Sequence, residues 1–540
     1  MKRSYCFSLL LIGIMLLTIL HFSATQSQLE TGDWTILVFF SADNNLAPNA
    51  KEDINELEMI GSTNSVQVLA FLDTSDEPGY LYHITQDNDS NRISSPILTD
   101  SGINPEPDMG DPQVLRQFVD YGINHFPSEH LMLVIWDHGQ GFEGVSYDYS
   151  TREHMSMNGI RETLEGIHLD ILIFDACLMG MLEVAYEFRE LADYIVFSEE
   201  EMPTDGLPYE EVLTTLTTTS SISPRILSNR LVDLYIDSYS GGSQGYFSYV
   251  TLSTIKTSEI DQLTEELENL TRLLASEKSY ALYATYARFA ADYPERKPNF
   301  IDLGNFLIQL QNITEEFPIL HSQVNSTLGA LQRTVLSQKA SDDHPSMTGL
   351  TFYFPDVTKI VYITQSYPTL AFAQDFSWKE FLIQEYQNQS SEDQIDPEIR
   401  SWVIEPQTIT GLTPIRVYFS ASDNNGIILP QIGYRLGFNS FRYVHAQLVN
   451  GTLKNGTYMA TIPALGNEAI NEQLEITCYV VDAGGNTDKI KLEVNIYKEA
   501  NLFEQLKNIL ILAIGIIAVT APFIFVLYVL IRNKKHQQGI

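Results

Sequence analysis

Two residues of the 540-residue chain have the types and settings that nucleophilic catalysis needs. Cys177 lies in Asp175-Ala176-Cys177-Leu178-Met179-Gly180, directly after the apolar run 171–174, where the chain turns toward a helix begun near Leu178. His138 lies in Trp136-Asp137-His138-Gly139-Gln140-Gly141, directly after the apolar run 131–136. A thiolate can attack a carbonyl carbon, and an imidazole can take up the thiol proton and pass it to a leaving group. A helix start beside Cys177 would favour its thiolate through unpaired N–H groups. Position alone leaves a second reading, a structural cysteine packed under that helix. Of the other two cysteines, Cys6 falls in the N-terminal apolar segment, and Cys478 falls in mid-strand, where a small buried apolar side chain is explanation enough. A Cys177–Cys478 disulfide would have to join two separate domains. Among the eleven histidines, His83, His125, His130, His154 and His168 fall in helix ends, polar loops or strand edges, and His344 is loop-like. His138 alone shares the setting of Cys177.

These positions mean something only if strands place them. Residues 34–40 (WTILVFF), 66–72 (VQVLAFL), 131–136 (LMLVIW), 171–174 (ILIF) and 194–197 are near-continuous apolar runs, which suit parallel strands buried on both faces. Helical stretches such as 49–60 and 112–126 alternate with them, so an open sheet covered by helices is expected. Ligands in such sheets bind beyond the carboxyl ends of the strands. His138 and Cys177 are 39 residues apart, one strand–helix–strand step plus a loop, so neighbouring strands would turn both into one crevice.

Further on, 258–337 reads as helical, with Ser258 and Asp261 as a capping start; 348–354 returns to strand and 378–386 to helix. A polar linker, 387–399, leads to short strands between turn clusters over 400–497, the pattern of a β-sandwich. This region resembles the immunoglobulin-like or fibronectin-like modules of microbial surfaces. The fold class is therefore α/β, followed by a small all-β sandwich and a single transmembrane helix.

The chain ends suggest where the protein works. Lys2 and Arg3 before an apolar run read as a signal peptide over 1–24, with an uncleaved anchor as the alternative. Residues 509–531 are 23 uncharged residues, enough to span a bilayer as a helix. Arg532, Lys534 and Lys535 then assign 532–540 to the cytoplasm and the bulk to the outside. Seven Asn-x-Ser/Thr sequons fit that placement. The net charge of −37 repels phosphate, which argues against nucleic acid and in favour of cationic partners.

The segments WTILVFFSADNNL, VIWDHGQG, IFDACLMGMLEVAYE and SEEEMPTDGLPY, with the later TGLTFYFP, resemble the clostripain family of cysteine peptidases over residues 34–385. The resemblance implies a caspase-like fold over 33–386, shared with gingipains, legumains and caspases. It implies a catalytic dyad of His138 and Cys177, and an oxyanion hole made by the N–H groups of Gly139 and Cys177. Donors aimed at the developing charge are commonly worth about 3–4 kcal/mol each. It further implies cleavage of protein or peptide substrates after Arg or Lys, with Asp175 and Asp205 lining the S1 pocket. For Asp175 a helix N-cap is the alternative role, and for Asp205 a turn. The runner-up specificity is Asn or Asp.

Family members are often nicked between the two motifs, which makes Arg152, the single Arg or Lys of the polar loop 142–157, a self-processing candidate. The chemistry requires no cofactor. Calcium is a candidate from the family, and Asp87-Asn88-Asp89-Ser90-Asn91 offers oxygens, but it lacks the glycine and distal glutamate of an EF-hand and reads as a solvated turn; the metal ligands are left unassigned. The expected function is a membrane-anchored extracellular cysteine endopeptidase. The competing reading is an inactive surface-binding protein with a peptidase-like domain, against which the presence of both Cys177 and His138 argues. A transpeptidase using the same acyl-enzyme is a third.

Overall fold

Residues 34–42 are buried without a break, side chains of both parities alike, so this segment sits in the middle of a sheet. In the computed structural model it belongs to strand β1 (Gly32–Ala42), flanked in parallel by β2 (Val66–Thr74) and β4 (Ser128–Trp136). Strand β7 (Leu169–Asp175) continues the parallel array beside β4, and β8 (Ala192–Phe197) beside β7. Antiparallel strands close both sides: β3 (Glu77–His83) on β2, and Thr251–Lys256 then Val335–Ala340 beyond β8. Between β4 and β7, β5 (Val145–Asp148) and β6 (Glu153–Met155) make a separate hairpin.

The described residues are 32–342, 345–356, 366–389, 395–437, 439–466, 469 and 472–496. The expected signal peptide, transmembrane helix and cytoplasmic tail lie outside them, as does His344. Among the described residues no helix is long and apolar enough to cross a membrane.

Helices cover both faces of the eight-stranded sheet. On one face Ile36, Val38 and Phe40 share a buried cluster with Ile54, Leu213 and Leu231, from helices Ala47–Ile60, Tyr209–Thr218 and Pro224–Tyr239. On the other face Phe39 meets Phe71 and Phe118 at ring distances of 5.9 and 6.0 Å. Phe118 comes from helix Pro112–His125, which Asp111 caps by accepting from the Gln113 N–H. Each such side chain, fully buried, stabilises by about 1.5–3 kcal/mol.

Several expectations need correction. The helix after Cys177 spans Leu182–Glu187 and starts at Met181, not near Leu178, because Leu178 adopts φ +66° and the chain makes an extra turn first. The loop 142–157 contains the β5–β6 hairpin. No side chain caps helix Ile260–Ser276; a 3-10 turn, Thr257–Glu259, leads into it instead. Helix Trp378–Gln389 and strand Glu398–Glu405 take up both ends of the expected linker.

The chain divides into two units at residues 392–393. Among the described residues the second unit is all-β, with two four-stranded antiparallel sheets. In strand Ile415–Ser422 alternate residues Ile415, Val417, Phe419 and Ala421 are buried, as one inward face requires. Cys478 is buried there and free; Cys177 is also free, so no disulfide joins them.

Candidate active site

The register of the sheet accounts for the spacing of the two candidate residues. Trp136 at the end of β4 pairs with Asp175 at the end of β7. His138 and Cys177 each follow that pair by two residues, so both leave the same edge of the sheet. They line one cavity of about 530 Å³, together with Gly139, Asp175, Glu201 and Lys297.

His138 is half-buried, and burial lowers its pKa. Its Nε2 lies 3.0 Å from Asn45 Oδ1, and its ring lies parallel to that of Tyr149 at 6.3 Å. The Tyr149 hydroxyl donates to the same Asn45 oxygen at 3.1 Å. With that oxygen as acceptor, Nε2 carries the proton and Nδ1 is left as a base. The neighbouring Asp137 has a different task. Buried, it accepts from Asn44 Nδ2 at 2.7 Å and from the Tyr147 N–H, bracing the loop that carries Tyr149.

Cys177 has a partly buried side chain whose Sγ accepts from the Met202 N–H at 3.3 Å. Burial pushes its pKa up to about 11, the Met202 N–H offsets a part, and the carboxylates of Glu201, Asp175 and Asp137 add to the rise. This reverses the expectation of a thiolate favoured by a helix start, since that helix begins five residues later. The segment after Cys177 is instead held by the chain following β8: Leu178 N–H donates to Glu200 O at 3.0 Å and Gly180 N–H to Ser198 O at 2.7 Å. Among the described residues the N–H groups of Gly139 and Cys177 have no acceptor, so both can serve an incoming oxyanion.

Asp175 lines the cavity and is buried. Tyr209 Oη at 2.8 Å and the Leu207 N–H at 3.1 Å both donate to its Oδ2, while burial raises its pKa to about 6. It is not a helix N-cap, since Met181 holds that place. A Cβ on Gly206 would lie 2.8 Å from Oδ2, so this close cover requires glycine, which also takes φ +54° there. Asp205 differs from its expected placement: it is exposed, and the cavity is lined by its neighbours Thr204 and Gly206 instead.

Two further carboxylates stand near Asp175 that sequence reading did not single out. Asp53 accepts from Trp136 Nε1 at 2.7 Å and Glu56 from the Tyr209 N–H at 3.0 Å. Burial raises both, Glu56 to about 7. Both come from helix Ala47–Ile60, which follows β1. Asn45 also follows β1, and the polar run Ser41-Ala42-Asp43-Asn44-Asn45 after an apolar strand was the available signal.

Arg152 is exposed at the tip of the β5–β6 hairpin with φ +66°. Asp87 is partly exposed and its Oδ1 accepts from the N–H groups of Asn88 and Asp89, the geometry of a solvated turn. Among the described residues a different set of three carboxylates, Asp43, Asp73 and Asp148, has the spacing of cation ligands.

Comparison with known proteins adds the following. The family model described as "Clostripain family" matches residues 38–402. The chain is 29% identical over 220 residues to clostripain of Hathewaya histolytica, a match covering 33% of this chain and 41% of that protein. The chain thus spans about two fifths of the length of that relative. The solved structure of a secreted C11 cysteine protease from Bacteroides thetaiotaomicron, "iotapain", superposes with a TM-score of 0.52 at 17% identity, covering 64% of this chain and 99% of that one. A secreted C11 cysteine protease from the same organism, in complex with an irreversible peptide inhibitor, gives 0.50 at 22% identity, covering 65% and 99%. At these identities the likeness to the two structures is one of fold.

Proposed function

The chain belongs to the clostripain family of cysteine peptidases, and from that premise we propose that it cleaves peptide bonds after Arg or Lys with Cys177 and His138, outside a membrane to which its C-terminus anchors it. It is a cysteine endopeptidase. The observation that carries the finer reading is the shared cavity: His138 and Cys177 line it two residues beyond one register pair.

The chemistry follows from the pair. Sγ forms a bond to the scissile carbonyl carbon as the thiol proton passes to His138 Nδ1. The resulting oxyanion is met by the N–H groups of Gly139 and Cys177. The C–N bond then breaks, and His138 returns the proton to the departing amine. Water, deprotonated by His138, attacks the thioester and releases the carboxylate product and the free thiol. Because burial raises the thiol and lowers the imidazole, proton transfer accompanies attack and the resting pair is neutral.

Specificity for a cation is supported by Asp175 on the cavity wall, with Asp53 and Glu56 nearby. A guanidinium or ammonium entering there would meet carboxylates that the protein leaves short of positive charge, and would lower their raised pKa values. Asp205, expected in the S1 pocket, is exposed between the cavity-lining Thr204 and Gly206 and lends this reading no support. The uncharged run 509–531 followed by basic residues supports the anchor, and the antiparallel sheets of the second unit are read as an immunoglobulin-like spacer.

The test is turnover of fluorogenic peptides ending in Arg, Lys, Asn or Asp by the detergent-solubilised full chain under reducing conditions, beside Cys177→Ala. Turnover after Arg or Lys that the substitution abolishes is expected. Cys177-dependent turnover after Asn or Asp would overturn the specificity, and turnover unchanged in the variant would overturn the nucleophile.

A further inference from the structure

Among the described residues that line the catalytic cavity, Lys297 is the single Lys or Arg, beside three acids, Asp137, Asp175 and Glu201. The acids already have partners. Asp137 accepts from Asn44 and the Tyr147 N–H, Asp175 accepts from Tyr209 and the Leu207 N–H, and Glu201 pairs with Arg296 at 3.2 Å. Lys297 is half-buried, and among the described residues its ammonium joins no carboxylate, although its neighbour Arg296 does. An ammonium has three donors to place, and here the protein supplies no acceptor for them.

The turn that presents Lys297 is tied down on several sides. The Lys297 N–H donates to Pro294 O and the Phe300 N–H to Lys297 O, both at 2.9 Å. The Glu295 N–H donates to Glu200 Oε1 at 2.7 Å, which fastens the turn to the chain following β8. The Lys297 ammonium lies 5.6 Å from the centre of the Phe300 ring, a cation–π distance. That ring meets Phe142 at 5.7 Å, and a Cβ on Gly141 would come within 3.0 Å of it. The ammonium is thus directed by the aromatic ring while its hydrogens stay available.

The sheet shows from which wall it enters. Asp175 shares a face with Trp136, its register partner, and the Tyr209 hydroxyl meets it there. Phe174 points to the other face, where its ring lies 5.4 Å from that of Phe188 at the end of helix Leu182–Glu187. Phe300 belongs with that face: it pairs with Tyr353, whose N–H donates to Glu183 of the same helix. Lys297 therefore approaches the cavity from the wall opposite Asp175. Neighbouring side chains of an extended peptide point to opposite sides. With the substrate's Arg or Lys directed at Asp175, the side chains directly before and after it face the Lys297 wall.

We propose that Lys297 forms a subsite for an acidic side chain adjacent to the Arg or Lys whose bond is cut. This deepens the proposed cleavage after Arg or Lys and rests on it. The net charge of −37 repels an acidic peptide at long range, so a preference for one has to come from a local cation.

The experiment compares kcat/KM of the detergent-solubilised full chain on internally quenched peptides with Arg at the cleaved position and Glu or Gln directly before or directly after it. The Glu peptide should be favoured about fivefold at one of these positions, and added sodium chloride should shrink the preference. Lys297→Met should abolish the preference, Lys297→Arg should keep it, and Lys297→Glu should reverse it. A merely structural lysine would alter both peptides alike. Failure of the cleavage reading shows separately, as Gln peptides that Cys177 does not cut. The subsite is then read from the affinities of the same peptides for Cys177→Ala, where Glu should bind tighter than Gln and the added Lys297→Met should cancel the difference. Equal treatment of Glu and Gln by the parent at both positions, or a Glu preference that Lys297→Met leaves intact, would overturn the subsite.

Discussion

A Cβ placed on Gly139 would lie 2.5 Å from the carbonyl oxygen of Cys177 and 3.0 Å from Met179 Sδ. The histidine loop and the cysteine loop therefore touch backbone to backbone, at the two residues whose N–H groups have no acceptor among the described residues. Gly139→Ala must push the loops apart and displace one donor from the oxyanion. The expected loss in kcat is roughly 100- to 1,000-fold. Alkylation of Cys177 by iodoacetamide should persist, showing that the nucleophile survives. An unchanged kcat would remove Gly139 from the oxyanion hole.

The resting state of the pair is a separate prediction. With Cys177 pushed up to about 11 and His138 lowered, neither group is charged at neutral pH. The difference in absorbance at 240 nm between the parent and Cys177→Ala should show no thiolate at pH 7 to 8. A thiolate band at pH 7 would mean a preformed ion pair. In kcat/KM, the acid limb should fall below the ordinary histidine value of 6.5, because a lowered imidazole stays a competent base to lower pH.

Asn45 contacts His138 and is not among the residues that line the cavity, so its effect should appear in the pH profile. Asn45→Asp puts a carboxylate against Nε2, 3.0 Å away in the parent. An adjacent negative charge favours imidazolium, so the acid limb should move to higher pH by about one unit or more. Asn45→Ala should lower kcat without that movement. Equal acid limbs in both variants would show that Asn45 does not contact the working imidazole.

The sequence made the frame legible because strands buried on both faces cannot hide their composition. Residues 34–40 and 131–136 could hardly be anything else. The spacing between His138 and Cys177 was informative for the same reason: parallel register carries the separation of Trp136 and Asp175 onward to both loops. What stayed hidden depends on side chains converging from elements distant in sequence. Asn45, Asp53 and Glu56 belong to the β1 crossover and reach the site only through the fold. The delayed helix after Cys177 was equally invisible, since Leu178 at φ +66° gives no compositional sign and the run LMGMLEVAYE reads as one helix. Asp205 shows the limit at turns, where residue type does not say which way a side chain points.

Asp175 offers the direct test of cation recognition. Tyr209 and Leu207 both donate to Oδ2, and an amide oxygen can still accept from them in Asp175→Asn. What disappears is the negative charge. Loss of a charge-assisted hydrogen bond costs about 1.5–3 kcal/mol, so kcat/KM for Arg and Lys peptides should fall roughly 10- to 100-fold. A peptide with a neutral side chain at that position should be cleaved at the parent rate. A uniform fall across both peptides would make Asp175 a structural brace.

Glu183, in the helix Leu182–Glu187 that follows Cys177, carries a prediction about stability. Fully buried, its Oε1 accepts from the Tyr353 N–H at 2.8 Å and the Tyr367 hydroxyl at 3.3 Å, while Oε2 has no partner among the described residues. Burial raises its pKa from 4.5 to about 7. A raised acid holds its proton in the folded state after the unfolded chain has lost it. Its contribution is thus complete below 4.5 and is lost as pH rises through about 7, at up to roughly 1.4 kcal/mol per pH unit. Glu183→Gln keeps an oxygen for both donors and cannot ionise. The drop in unfolding temperature between pH 5 and pH 8 should therefore be smaller in the variant. Parallel melting curves across that range would show that Glu183 ionises as freely in the folded protein as in the unfolded chain, and would place the pH dependence of the fold on other carboxylates with raised pKa values, of which half-buried Glu56 and buried Asp175 are the next to substitute.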